Sequence, residues 1–178
     1  MQTSISFEPL GDHDRSSFHC GVPELDRYLH TRAGQDAKRK VAAPFVMIDE
    51  ARRILGYYTL SAYGIKLTEL PPGMQKMLPK YPLLPATLLG RLAVSASHRG
   101  MKLGRLLLMD ALHRSWKNTA EIASVGVVAD AKDEAALEFY LHHEFMSLAD
   151  HPKKLFVSMV TLQRVFGGDI PARRRELK

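Results

Sequence analysis

Apolar residues recur along this chain with two periods, and the changes from one to the other mark its elements. Thr3 to Leu10 alternates polar and apolar positions, as a strand does, and is closed by Gly11-Asp12. From Val22 to Lys40 the period is helical: Leu25, Tyr28, Leu29 and Ala33 share one face, while Asp26, Arg27, His30 and Arg32 lie off it. Ala42–Asp49 and Ile54–Tyr63 are rich in Val, Ile, Tyr and Phe with charged residues between them, the pattern of an antiparallel hairpin. Prolines then crowd Leu70 to Pro85. Each fixes φ and removes a backbone donor, which leaves room only for a short helix around Met74–Leu78. Thr87–Val94 reads as a buried strand, Lys102–Lys117 as a helix and Ser124–Ala129 as an apolar strand. Asp133–His143 reads as a helix and Leu155–Val165 as a last strand.

Strands interleaved with helices predict an α/β (α+β) fold, a mixed sheet covered on its faces by helices, with Leu88–Ala129 forming a right-handed parallel crossover. Ligands in such sheets gather beyond the carboxyl ends of strands, near a helix N-terminus, which points to the segment after Val94. The 178 residues are one domain's length, assigned to 1–166 with a basic tail over 167–178 that contains Arg173-Arg174-Arg175. Lys and Arg number 25 against 19 Asp and Glu, a net charge of +6. That balance favours polyanions without choosing among nucleic acid, anionic membrane and phosphorylated ligands. The single Cys20 excludes a disulfide framework and a multi-cysteine zinc site, as suits a reducing cytosol. No apolar run is long enough to span a bilayer, and Met1–Glu8 lacks a basic and apolar leader. A cytoplasmic protein without a membrane partner is therefore expected.

Two segments carry candidate chemistry. After Val94 the chain reads Ser95-Ala96-Ser97-His98-Arg99-Gly100-Met101-Lys102-Leu103-Gly104 and enters a helix. A glycine-containing turn between strand and helix lets successive N–H groups converge on an anion, with Arg99 and Lys102 adding charge; the same turn also serves as an ordinary connection. Tyr140, near the end of the Asp133–His143 helix, either completes the core or presents its phenol to a reacting group. With a pKa of ~10 it suits protonation of a thiolate leaving group of pKa ~8.5. His142-His143 invites a metal or base role but lacks closely spaced partners, so no metal is expected. Lys38-Arg39-Lys40 sits where the helix dipole favours cations and serves either as an RNA grip or as a solvated face. Arg91 reaches either acceptor RNA or a neighbouring carboxylate. Cys20 and Trp116 read as packing.

Taken in order, strand, Arg-x-x-x-x-Gly loop, helix, strand and Ala136-x-x-Phe139-Tyr140 resemble the GNAT superfamily of acyl-CoA-dependent N-acetyltransferases. Phe18-His19-Cys20-Gly21, Leu25-Asp26-x-Tyr28-Leu29, Gly56-Tyr57-Tyr58-Thr59-Leu60-Ser61, Leu78-Pro79-x-Tyr81-Pro82 and Leu89-Gly90-Arg91-Leu92-Ala93-Val94 resemble its toxin branch, found in bacterial toxin–antitoxin modules. The resemblance runs from about Phe7 to Phe166. It implies strands splayed around acetyl-CoA, with Leu92, Ala93 and Val94 pairing with the pantetheine arm and polarising the thioester. By the same resemblance Arg99, Gly100, Met101, Lys102, Leu103 and Gly104 form the pyrophosphate loop, and Tyr140 is the general acid. The acceptor it implies is the α-amino group of aminoacyl-tRNA, whose acetylation blocks translation. The partners it implies are a second copy in a homodimer and a small antitoxin of the ribbon-helix-helix type. An amine on a small molecule or a protein, and a degenerate acyl-CoA binder, are the alternatives. Two positions depart from the family pattern. Lys102 stands at the first glycine of the loop, costing on the order of 1–2 kcal/mol if φ is positive there and little if φ is helical. Glu144 replaces the glycine that usually ends the tyrosine helix.

Overall fold

A computed structural model of the chain describes residues 4–169; the predicted tail from 170 onward lies outside the described residues. A seven-stranded sheet organises the molecule, in the order β1-β2-β3-β4-β5-β7-β6. The strands are β1 (Ser6–Pro9), β2 (Ala43–Ile48), β3 (Ile54–Lys66), β4 (Leu83–Val94), β5 (Gly126–Asp130), β6 (Met146–Leu148) and β7 (His151–Ser158). All neighbours are antiparallel except β4 and β5. These two are joined through helix α4 (Leu103–Asn118), the expected parallel crossover.

Helices cover both faces. On one, Leu107, Leu108, Ala111 and Leu112 of α4 pack on Tyr58, Leu89, Val127 and Leu155. Gly56 admits α4 to this face, because a Cβ there would stand 2.9 Å from the Ala93 carbonyl and closer still to Leu107. Helix α5 (Glu134–His142) also lies here, started by the Asp133 carboxylate, which accepts the Ala136 N–H at 2.8 Å. On the other face α1 (Pro23–Thr31) and α2 (Ala33–Arg39) bury Tyr28, Leu29 and Ala33 against Val46, Tyr57 and Ala93.

Three sequence expectations change. The helix expected over Val22–Lys40 is two helices, broken at Arg32 (φ −117°). Its apolar period runs across the break because Leu25, Tyr28, Leu29 and Ala33 all face one core. The strand β4 begins at Leu83, inside the proline-rich stretch, after the short helix α3 (Pro72–Gln75). Pro85 is tolerated because its carbonyl faces Val125 on the β5 side, so its missing N–H takes nothing from the β3 ladder. The strand expected over Leu155–Val165 ends at Ser158, whose hydroxyl accepts the Thr161 N–H and starts α6 (Met159–Phe166). β-branched Val160, Thr161 and Val165 favour strand locally, but packing of Leu162 against α4 overrides them.

Candidate active site

The strands β4 and β5 pair only over Thr87–Leu89 and Val127–Ala129 and then part. At the parting point Gly90 bulges out of register with β3: Thr59 faces Arg91 and Leu60 faces Leu89. Beyond it β4 continues to Val94, paired to β3 on one side only, so Leu92, Ala93 and Val94 offer backbone groups along an open edge. An extended amide ligand can add there as a further strand.

The chain leaves this edge through a loop tied to the α1 side. Ser95 N–H donates to Leu55 O and Ala96 N–H to His19 O, both at 2.8 Å. Arg99 donates to the Cys20 carbonyl at 2.6 Å. Then come Gly100 (φ 79°) and Lys102 (φ 57°). The N–H groups of Gly100, Met101, Lys102, Leu103 and Gly104 have no hydrogen-bond acceptor among the described residues, and α4 starts without a side-chain cap. Five successive free donors at the positive end of a 16-residue helix form a nest that can hold a phosphate or pyrophosphate. The left-handed backbone settles the alternative at Lys102: it takes the conformation of a glycine, at on the order of 1–2 kcal/mol.

Between the parted strands and α1 lies a cleft of about 610 Å³. Its walls carry Arg27, Arg32, Arg91 and Lys132 against Glu24 and Asp130, a positive balance. Tyr140 closes it from the α5 side, 6% exposed, with its ring among Phe139 and Phe145. The Tyr140 hydroxyl has no hydrogen-bond partner among the described residues. Burial raises its pKa above the ordinary phenol value, and the Asp130 charge pushes the same way. The group therefore stays protonated at neutral pH and is a donor, not a base.

Of the candidates, the structure places Tyr140, Arg91 and Leu92 on one cleft, with Ala93 and Val94 following along the β4 edge and the Arg99–Gly104 loop beyond it. It does not bring in Lys38, Arg39 and Lys40, which lie exposed at the end of α2 and line no part of the cleft. His143 is spent as a helix end, its Nδ1 2.7 Å from Phe139 O, and no group of metal-ligating residues occurs among the described residues. Cys20 is packed, its thiol pushed up to about 11 chiefly by burial. Arg27, Arg32 and Lys132 were not singled out from sequence. Arg27 and Arg32 flank the apolar face of the α1 region, and that adjacency was the available signal.

No protein-family model matches the chain. A tRNA-acetylating toxin of Mycobacterium tuberculosis is 29% identical over 154 residues, covering 86% of this chain and 91% of its own. A probable toxin TacT of Sinorhizobium fredii is 25% identical over 170 residues, covering 90% and 94%. The solved complex of AtaT with acetyl-methionyl-tRNAfMet superposes with a TM-score of 0.86 at 27% identity, over 92% of this chain and 99% of that one. A mutant AtaT toxin is known bound to the C-terminus of the antitoxin AtaR and to acetyl-CoA. A sheet splayed at β4–β5, an uncapped loop entering α4 and near full-length similarity agree: the chain has the GNAT fold and is a relative of the acetylating toxins of toxin–antitoxin modules.

Proposed function

We propose that the chain is a toxin that transfers acetyl from acetyl-CoA to the α-amino group of aminoacyl-tRNA. The observation that carries this reading is the unpartnered Tyr140 phenol on a positive cleft, beside an open strand edge and an uncapped helix. Leu92, Ala93 and Val94 hold the pantetheine amides through backbone hydrogen bonds, and a β4 N–H polarises the thioester carbonyl. The nest from Gly100 to Gly104 takes the pyrophosphate, with Lys102 adding charge. Arg99 braces that loop against Cys20.

The acceptor amine has a pKa of ~7.7–8.0 before its ester neighbour lowers it, so a useful fraction is neutral without a protein base. Its nitrogen bonds to the thioester carbon, and collapse of the adduct breaks the C–S bond. Tyr140 gives its proton to the departing sulfur, the new amide sheds one proton to water, and the phenol regains one from water. Positioning and leaving-group protonation supply the rate. Arg27, Arg32 and Lys132 meet RNA phosphates at the cleft, where Arg91 adds a further positive charge, with Lys38, Arg39 and Lys40 on a more distant stretch of the same acceptor. Acting in the cytoplasm as a homodimer, the protein is held in check by a small antitoxin with a ribbon-helix-helix end and an acidic tail suited to a chain of charge +6.

The test combines purified protein, labelled acetyl-CoA and total charged tRNA. Label should enter the RNA only when the tRNA is charged, and Tyr140→Phe should slow its entry by about 10²–10⁴-fold. Absence of label with acetyl-CoA binding intact would turn the reading toward another amine.

A further inference from the structure

The acceptor side of the cleft contains a planar cation that the mechanism above uses only as a charge. Arg91 follows the Gly90 bulge on β4, and its guanidinium carbon lies 3.6 Å from the centroid of the Tyr28 ring. An edge-on guanidinium at that distance would drive its nitrogens into the ring, so the group lies roughly flat over it. The ring cannot drift. Its hydroxyl donates to Asp36 at 3.0 Å, and it stacks with Tyr57 at 6.3 Å between centroids and 19° between planes. Tyr57 is itself tied by its hydroxyl to the Leu25 carbonyl at 2.8 Å. Tyr28 is 4% exposed, and the guanidinium lies over its ring. Arg91 lines the cleft and donates to no carboxylate or carbonyl among the described residues.

A guanidinium laid on a fixed aromatic ring still has its other face to offer. A purine placed there, as on a shelf, meets a flat, weakly hydrated, immobilised surface. Single-stranded RNA ends are recognised in this way, by unstacked bases laid on aromatic or arginine planes. The shelf shares its cleft with Tyr140, so a base resting on it belongs to the nucleotide bearing the reacting aminoacyl group. We infer that the guanidinium of Arg91, held flat on Tyr28, is the platform on which the 3′-terminal base of the acceptor RNA stacks. The inference rests on the reading of the acceptor as aminoacyl-tRNA.

The experiment uses the full chain, labelled acetyl-CoA and two chemically aminoacylated dinucleotides, cytidylyl-adenosine and its analogue with an abasic 3′-terminal ribose. Arg91→Lys keeps the charge and removes the plane. On the adenosine acceptor it should raise KM roughly tenfold, while acetyl-CoA affinity and the salt dependence of kcat/KM stay as in the unaltered protein. On the abasic acceptor the unaltered protein should already show the higher KM, and Arg91→Lys should add almost nothing. Two results would overturn the shelf: Arg91→Lys with unaltered KM on both acceptors, or an equal penalty on both. In a second arm Arg91→Gln would weaken the salt slope by about 0.7 if Arg91 met a phosphate; an unchanged slope supports the shelf. If the unaltered protein labels neither dinucleotide nor charged tRNA, the acceptor reading itself fails and this inference with it.

Discussion

The donor surface along β4 and the acceptor side of the neighbouring cleft are walls made of different materials. The wall assigned to acetyl-CoA is backbone: the open edge of β4 and the free N–H groups from Gly100 to Gly104. The wall assigned to the acceptor is side chains, Arg27, Tyr28 and Arg32 from the α1 region, Arg91 from β4 and Lys132 from the turn after β5. A backbone wall serves any molecule carrying the same pantetheine and pyrophosphate groups, and it tolerates most substitutions that keep its conformation. A side-chain wall can be retuned residue by residue without disturbing the donor. One fold can thus keep its donor and change its acceptor.

Tyr140 joins the walls, so its loss should have the largest effect. Tyr140→Phe is expected to lower kcat by about 10²–10⁴-fold while the acetyl-CoA Kd, read by calorimetry, stays put. A similar drop in acetyl-CoA affinity would make Tyr140 part of the donor wall instead. The pH profile sharpens the assignment. Burial and then Asp130 raise the phenol's pKa, so its donor form persists above the ordinary value of ~10. The rate should climb as the acceptor amine loses its proton and should show no descending limb below pH ~10. A descent near pH 8 would mean that another acid protonates the sulfur.

The donor wall should break under a single misplaced charge. Gly104 lies in the first turn of α4, and a Cβ there would make ordinary contacts with Phe139 and Val94 at 3.7–3.8 Å. Gly104→Asp therefore fits. Its carboxylate should stabilise the helix by about 0.3–1 kcal/mol through the dipole while competing with the pyrophosphate for the same donors. Acetyl-CoA affinity should fall roughly tenfold as the melting temperature holds or rises. A parallel loss of stability would show that the loop tolerates no Cβ at this position. The acceptor wall should yield more gradually. Arg27→Gln with Arg32→Gln should raise KM for charged tRNA several-fold and weaken the salt slope by about 0.7 per lost contact. Acetyl-CoA binding should not change, and an unmoved slope would remove both residues from the RNA path.

The same contrast explains what the sequence made legible. The donor wall is continuous in the chain: a buried strand, a turn with Gly100 and a helix follow one another, so spacing pointed to the turn as one of two readings, and the resemblance to the GNAT toxins assigned roles to it and to Tyr140. The acceptor wall is assembled from three separated elements. Arg27 and Arg32 read only as polar positions off an apolar face, and nothing in their spacing announced the cleft. Lys38-Arg39-Lys40, the louder charge run, lies elsewhere. Arg91 was noticed, but its stacking on Tyr28 depends on the register that sets β4 against β3 and on the seating of α1. The C-terminal error has a different origin. Val160, Thr161 and Val165 carry strand propensity, while the Ser158 cap and the burial of Leu162 are decided by local hydrogen bonding and tertiary contact.

The smallest expected effect separates strain inside the donor wall from strain outside it. Glu144 (φ 70°) and Lys102 (φ 57°) both hold left-handed backbone at positions where the resemblance to the GNAT family implies glycine. At Glu144 the conformation lets the Phe145 N–H turn back to the Tyr140 carbonyl at 3.2 Å and end α5, and the acidic side chain stands at the negative end of that helix. Glycine would relieve about 1–2 kcal/mol of backbone strain and return roughly 0.5–1 kcal/mol of it as entropy lost on folding. Glu144→Gly should therefore stabilise by up to about 1.5 kcal/mol, a rise of up to about 3–6 °C for a chain of this size. Glu144→Ala, which keeps the Cβ, should gain much less. Lys102→Gly should produce a similar rise in melting temperature, because its backbone conformation is the same. It also removes a cation from the anion nest, so acetyl-CoA affinity should drop a few-fold there and stay unchanged in Glu144→Gly. Equal acetyl-CoA affinity in the two glycine variants would show that the nest binds through its N–H groups alone and that Lys102 contributes only strain.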